Sequence, residues 1–230
     1  MIEKSIFIDA GPIISLVMSR LIWILPKLKE KWGGHFYITP AVKRELVERP
    51  IKVKRFEFEA LQVMKLIKEG VLEVYNSVPL KKVEELKDLA NNSFKVKDKN
   101  IDIIQSGEME SVACAIEKNA EAVIMDERTL RLFIENSEEM VKLLEIRFKR
   151  EISSDPKRIQ LFSQQLQSIK IIRSIELVGV AYKLGLLDEY IPQLDKGKEL
   201  LLDSVLWATK INGCAVTEPE LEEIKLLLNK

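Results

Sequence analysis

The stretch SIFIDAGPIISL, residues 5–16, decides the fold. Ser5–Ile8 (SIFI) reads as a short strand that stops at Asp9, and Gly11-Pro12 then opens a helix from about Ile13 to Leu21, with more helix to about Lys31. A strand buried on both faces and followed at once by a helix belongs to a parallel sheet covered by helices. In such sheets ligands bind outside the carboxyl ends of the strands. Asp9 stands at that edge.

The same grammar repeats along the chain. His35–Ile38 (HFYI) is a second strand, and Thr39-Pro40 gives an N-cap followed by a first helical residue. A helix over Ala41–Val47 ends before Pro50; Phe56–Lys68 places Leu61, Met64 and Ile67 at helical spacing and stops at Gly70. Val71–Tyr75 is a third strand, and residues 77–104 read as a polar helix and then a lysine-rich loop. From Ser106-Gly107 onward Met109, Val112, Ala113 and Ile116 recur with helical period. Ala122–Met125 is a fourth strand ending at Asp126, and Thr129–Phe133 begins another helix. Beyond residue 137 only helical patterns appear, over 138–150, 157–184, 197–211 and 218–229. The expectation is an α/β core over residues 1–135, with a central parallel sheet of four to five strands, and a helical extension over 136–230 packed on it.

Composition limits the chemistry. Lys plus Arg equals Asp plus Glu, 36 each, so any polyanion site must be a local patch. Such patches exist: residues 43–55 carry six basic and two acidic side chains, and residues 142–158 six basic and three acidic. Cys114 and Cys214 form no C-x-x-C pair and His35 is the single histidine, which argues against zinc, iron–sulfur and disulfide frameworks. No P-loop, G-x-S-x-G or G-x-G-x-x-G occurs. The longest apolar tract, Ile13–Leu25, contains Arg20 and is too short to span a bilayer. With no leader-like start, a cytoplasmic protein is expected.

Acids remain. Asp9 and Asp126 end strands, Glu45 follows Thr39-Pro40, and Glu108 and Glu110 follow Ser106-Gly107. Glu108 and Glu110 are separated by about 200° around a helix, so only one can face a given site. Each acid alone could be a helix cap or a partner of a helix dipole. Converging, they would repel one another unless a hard cation such as Mg²⁺ or Mn²⁺ sat among them.

The segments IFIDAGPIISL, YITPAVKREL, SGEMESVACAI and AVIMDERTLR, in that order, resemble the PIN-domain family, in particular archaeal and bacterial members related to toxin–antitoxin nucleases. The likeness reaches weakly into VGVAYKLGLLDEYIPQLDKG. It implies a PIN-like three-layer sandwich and Asp9, Glu45, Glu110 and Asp126 as the metal-binding, catalytic acids. Many members carry Ser or Thr two residues after the first Asp, where this chain has Gly11. The resemblance further implies a Mg²⁺- or Mn²⁺-dependent endoribonuclease acting on single-stranded or structured RNA, a homodimer, and a possible small antitoxin partner. The alternative is a catalytically weak PIN-like RNA-binding scaffold.

Overall fold

The computed structural model describes residues 4–229. In chain order the elements are β1 (Ser5–Ile8), α1 (Ala10–Met18), α2 (Ile24–Trp32), β2 (His35–Ile38), α3 (Pro40–Lys43), α4 (Glu57–Lys68) and β3 (Glu73–Val74). There follow α5 (Leu80–Asn91), β4 (Phe94–Val96), β5 (Lys99–Asn100), α6 (Ser106–Lys118), β6 (Ala122–Ile124), α7 (Arg128–Glu135) and α8 (Ser137–Phe148). The chain ends with β7 (Ser153–Ser154), α9 (Pro156–Leu166), β8 (Lys170–Ile172), α10 (Ser174–Lys183), α11 (Gly197–Ile211) and α12 (Glu218–Leu228).

Five strands form the central sheet in the order β3-β2-β1-β6-β8, and every pair is parallel. Alternation along each strand divides the core into two layers. Ile6, Ile8, Phe36, Ile38 and Ile124 pack against α1, α2, α10 and α11. Phe7, Val123 and Met125 point the other way, onto α5, α6, α7 and α9. Strand order reverses between β1 and β6, so the two chains leaving these neighbours diverge and open a crevice at their carboxyl ends.

Two expectations from the sequence need correction. Residues 157–184 are not one helix: α9 stops at Leu166, and Lys170–Ile172 forms a strand before α10 begins. Its register is set by pairing Ala122 with Lys170 and Ile124 with Ile172. The β-branched pair Ile171-Ile172 suits a pleated strand, but the run is too short to break the helical spacing on either side. The second correction follows from the first. The part of the chain beyond residue 136 supplies the edge strand of the central sheet as well as helices, so it is woven into the core rather than laid upon it. The 77–104 region is likewise more ordered than a loop, since β4, β5 and β7 make a small antiparallel sheet.

A fragment ending at residue 139 would therefore lose the strand that covers β6 and the α10–α12 side of the core. It is expected to show no cooperative thermal transition by circular dichroism where the full chain shows one. A cooperative melt of that fragment would restore the independent-core division.

Candidate active site

Asp9 and Asp126 leave adjacent strands, and the main chain holds them there. The Asp9 amide donates to the Ile124 carbonyl at 2.9 Å, and the Met125 amide donates to the Ile172 carbonyl at 2.8 Å. Asp9, Glu45, Glu108, Asp126 and Glu127 line one open cleft of about 330 Å³, with Arg128 the one cation on its wall among the described residues. Asp9 and Asp126 are buried, whereas Glu45 is exposed at the rim.

Glu45 reaches that rim from an irregular helix. Thr39 caps α3 by accepting from the Val42 amide, and the chain then widens into a π-turn over Arg44–Glu48, where the Arg49 amide donates to the Arg44 carbonyl at 3.0 Å. Single π-turns inside helices recur at functional sites because they re-aim a side chain without ending the helix.

Glu108, not Glu110, faces the cleft. Glu110 accepts from the Ala41 amide at 3.0 Å and lies 3.8 Å from the Arg44 guanidinium, so it serves the start of α3 instead. The rotational phase of α6 accounts for this: Met109, Val112 and Ala113 are committed to the core, which leaves their two flanking glutamates on different sides. Glu108 accepts from the Gln105 amide at 2.9 Å as half of a capping box.

The aspartates were also candidates for helix caps. Asp9 makes no side-chain cap bond to α1. At α7 the cap is Glu127, which accepts from the Leu130 amide at 3.0 Å and from the Thr129 hydroxyl. Asp126 does something the sequence did not suggest. Its Oδ2 accepts from Ser15 Oγ at 2.6 Å and from Ser174 Oγ at 2.7 Å, and its Oδ1 accepts from the Ser174 amide at 2.7 Å. Its carbonyl accepts from the Ala215 amide at 3.2 Å, which brings Gly213 and Ala215 onto the cleft wall. A side chain at position 11 would point between the aspartates, its Cβ 3.5 Å from Asp126 Cβ and 4.0 Å from Asp9 Oδ2. Ser15, one helical turn later on the same face, supplies a hydroxyl where Gly11 cannot. Gly213 is required where it stands: its φ is +132°, and a Cβ there would be 3.1 Å from Ser15 Oγ.

Crowding shows in the proton affinities. Burial, with Glu45 and Asp126 nearby, pushes the Asp9 carboxyl up to about 6 against the opposing pull of the Ala10 and Gly11 amides. Burial, with Glu127, Asp9 and Glu45 nearby, pushes Glu108 up to about 7. This is a hard-oxygen donor set short of positive charge, which fits Mg²⁺ or Mn²⁺ in kind. The expectation that four carboxylates stand together within reach of one ion is not met. Among the described residues, no three His, Cys, Asp or Glu side chains are grouped closely enough to hold a metal directly. Glu110 is engaged elsewhere, and three donors already occupy Asp126. An ion here would have to take one or two carboxylates directly and the rest through water, which is the habit of Mg²⁺.

Two outcomes follow. Ser174→Ala removes a buried hydrogen bond to a charged acceptor, worth about 2 kcal/mol, and should lower the melting temperature by roughly 4–8 °C. The second outcome concerns pH. In the fold Glu108 holds its proton to about pH 7, whereas its ordinary value is 4.5, so its contribution to stability is complete below about 4.5 and is lost as pH rises through 7. In EDTA, Glu108→Gln should melt with a smaller decline across that interval than wild type. Parallel curves would show that Glu108 is solvated.

Comparison with known proteins adds one finding. No curated protein and no solved structure matches the chain. A family model described as a PIN domain matches residues 5–139, the span that carries β1, β6 and every acid of the cleft. PIN domains are generally nucleases, dependent on divalent metal, and by this match the chain belongs to the PIN-domain family.

Proposed function

We propose that the chain is a Mg²⁺- or Mn²⁺-dependent ribonuclease, with Asp9, Glu45 and Glu108 as the acids that hold the ion. The observation that carries the proposal is the convergence of carboxylates, two of them with raised proton affinity, on a cleft at the switch point of the sheet. Capping explains Glu108 and Glu127 one at a time, but it does not explain why Asp9 and Glu45 join them in one cleft, an arrangement that destabilises the metal-free protein. When bound, the ion supplies water activation and charge stabilisation at a phosphodiester.

The chain's own groups have separable tasks. Asp9 and Glu108 would hold the cation as carboxylates and give up their protons to do so, so binding should strengthen as pH rises through 6 and 7. Glu45, at the rim, orients the attacking water. Arg128 is the cation that meets the phosphate; its Nε is buried without a partner and its guanidinium lies 3.9 Å from Glu139. Asp126 keeps the cleft in shape through Ser15 and Ser174. The exposed run Lys52, Lys54 and Arg55 contacts the backbone of the RNA without reading its sequence. The exposed Phe58, Leu61 and Met64 of α4 form the face that a second copy would cover.

A second reading, a PIN-like RNA-binding module with little turnover, draws on the engagement of Asp126 and the lack of a direct three-ligand group among the described residues. One substitution separates the two. Asp9→Asn removes one of the crowded charges and should raise the melting temperature in EDTA by roughly 2–4 °C, the effect of about 1 kcal/mol in a chain of this size. It should also shrink the stabilisation conferred by Mn²⁺ and abolish metal-dependent cleavage of RNA. If the variant melts like wild type with and without Mn²⁺ and still cuts RNA, the assignment of Asp9 is wrong. If wild type binds RNA but does not cut it under any divalent ion, the module reading replaces the enzyme.

A further inference from the structure

Beside the acid cleft, and sharing Glu45 with it, lies a second cavity of about 240 Å³. Its walls are almost wholly apolar: Ile14 and Met18 of α1, Leu46 of the π-turn, and Phe56 and Val63 where α4 starts and continues. Glu45 and Glu59 are its acidic groups, and Glu59 Oε2 is buried without any hydrogen-bond partner. A carboxylate oxygen hidden from water and left unpaired is costly, so it calls for a donor from outside the chain.

We infer that this cavity is a base-specificity pocket, which takes one unstacked nucleobase of the bound RNA and favours guanine. The inference rests on the nuclease reading for its choice of RNA. Four observations converge on it. The cavity is smaller than the pockets that hold drug-sized ligands, so it suits one flat ring system better than a stretch of peptide. Phe56, partly exposed, offers a ring for stacking, the sequence-tolerant part of single-strand binding. Glu59 supplies the discriminating part once its carboxylate turns from its buried position into the cavity: guanine alone presents an N1–H and an N2 amino hydrogen side by side, the donor pair that a carboxylate accepts together. Arg55 is exposed, with its guanidinium 5.3 Å from the Phe56 ring centroid, and supplies a positive charge for the phosphate of a base stacked on that ring. Because Glu45 belongs to both cavities, a nucleotide seated here places its neighbouring phosphodiester toward Asp9 and Glu108. Single-stranded RNA is read in this manner elsewhere, by splayed bases stacked on aromatics and bonded along their edges.

The test titrates the full chain, in EDTA, with guanosine, inosine and uridine 5′-monophosphates by calorimetry. Inosine lacks only the N2 amino group. Guanosine monophosphate should bind at least about fivefold more tightly than inosine monophosphate, the discrimination of one good base-edge contact. Glu59→Gln, which keeps the shape and loses one acceptor oxygen, should erase that preference. Phe56→Ala should weaken all three nucleotides by about tenfold through lost stacking. Preference for guanosine monophosphate in a chain that never cuts RNA would sink the nuclease reading and leave the pocket standing. Cleavage of RNA by a chain that shows no guanine preference, or whose preference survives Glu59→Gln, would overturn the pocket and leave the nuclease. Binding of a basic, apolar peptide that Glu59→Gln weakens, with no nucleotide bound, would assign the cavity to a protein partner and overturn the inference.

Discussion

The buried carboxylate of Asp126 is the constraint on which the rest of the molecule turns. A charge taken out of water must be met by donors in good geometry, or it destabilises the fold by several kcal/mol. Here the donors come from two distant parts of the chain: Ser15 from the helix after the first strand, and Ser174 from the helix after the last. The charge can be satisfied only when α1, β6 and α10 are all in place. That requirement ties residues beyond the family-model match to the cleft as firmly as those within it. Glu220 repeats the logic elsewhere: Arg131 and Arg173 meet it at 2.5 and 3.0 Å, and against its partial burial the Thr217 amide and hydroxyl together with Arg131 hold its carboxyl down to about 2.

On the other side of the same cleft the rule is inverted. Asp9 and Glu108 are partly withdrawn from water with carboxylates for neighbours, and their affinity for protons rises. Arg128, on the wall of the same cleft, does not offset them. Stability alone would favour a lysine or an amide at one of these positions. Crowded acids with raised proton affinity in a cleft are the kind of arrangement found where function rather than folding sets the residues, and an oxygen-rich cleft suits a hard cation in kind. Two neighbouring aspartates at the ends of two neighbouring strands thus sit in opposite surroundings: Asp126 is met by serine donors that build the cleft, whereas Asp9 is buried among other carboxylates.

Much of this was legible in the sequence, and the illegible parts have physical causes. β1 and β2 were readable to the residue, because a buried parallel strand is a continuous apolar run with a sharp end. The start of α6 was equally plain from Ser106-Gly107 and the period that follows. The choice between Glu108 and Glu110 was not. Periodicity gives the core face of a helix, but which flank looks into a cleft depends on where α3 puts its Ala41 amide. Ser15 left a trace, a polar residue on the buried face of an otherwise apolar helix start, PIISLV. Ser174 left none, since a reading of residues 157–184 as one helix puts it in the helix interior, and only the strand before it makes it the first residue of α10. Lys170–Ile172 escaped for want of length: a three-residue strand between two amphipathic helices adds too few positions to disturb their spacing.

That missed strand explains how the cleft came to be built from both ends of the chain. β6 has β1 on one side, and as an edge it would leave its other row of amides and carbonyls open to pairing with another molecule. β8 closes that row, and the Met125 amide, the last before Asp126, donates to Ile172. Register then dictates the rest. Because Ile124 pairs with Ile172, the residue two beyond each strand, Asp126 on one and Ser174 on the other, arrives at the same level, and the serine amide and hydroxyl meet the carboxylate without any adjustment of the helix they begin. A one-residue slip would turn Ile171 toward the opposite face and carry Ser174 away from Asp126. The pairing that protects the sheet edge is therefore the same pairing that fixes the acid, and neither can drift without the other.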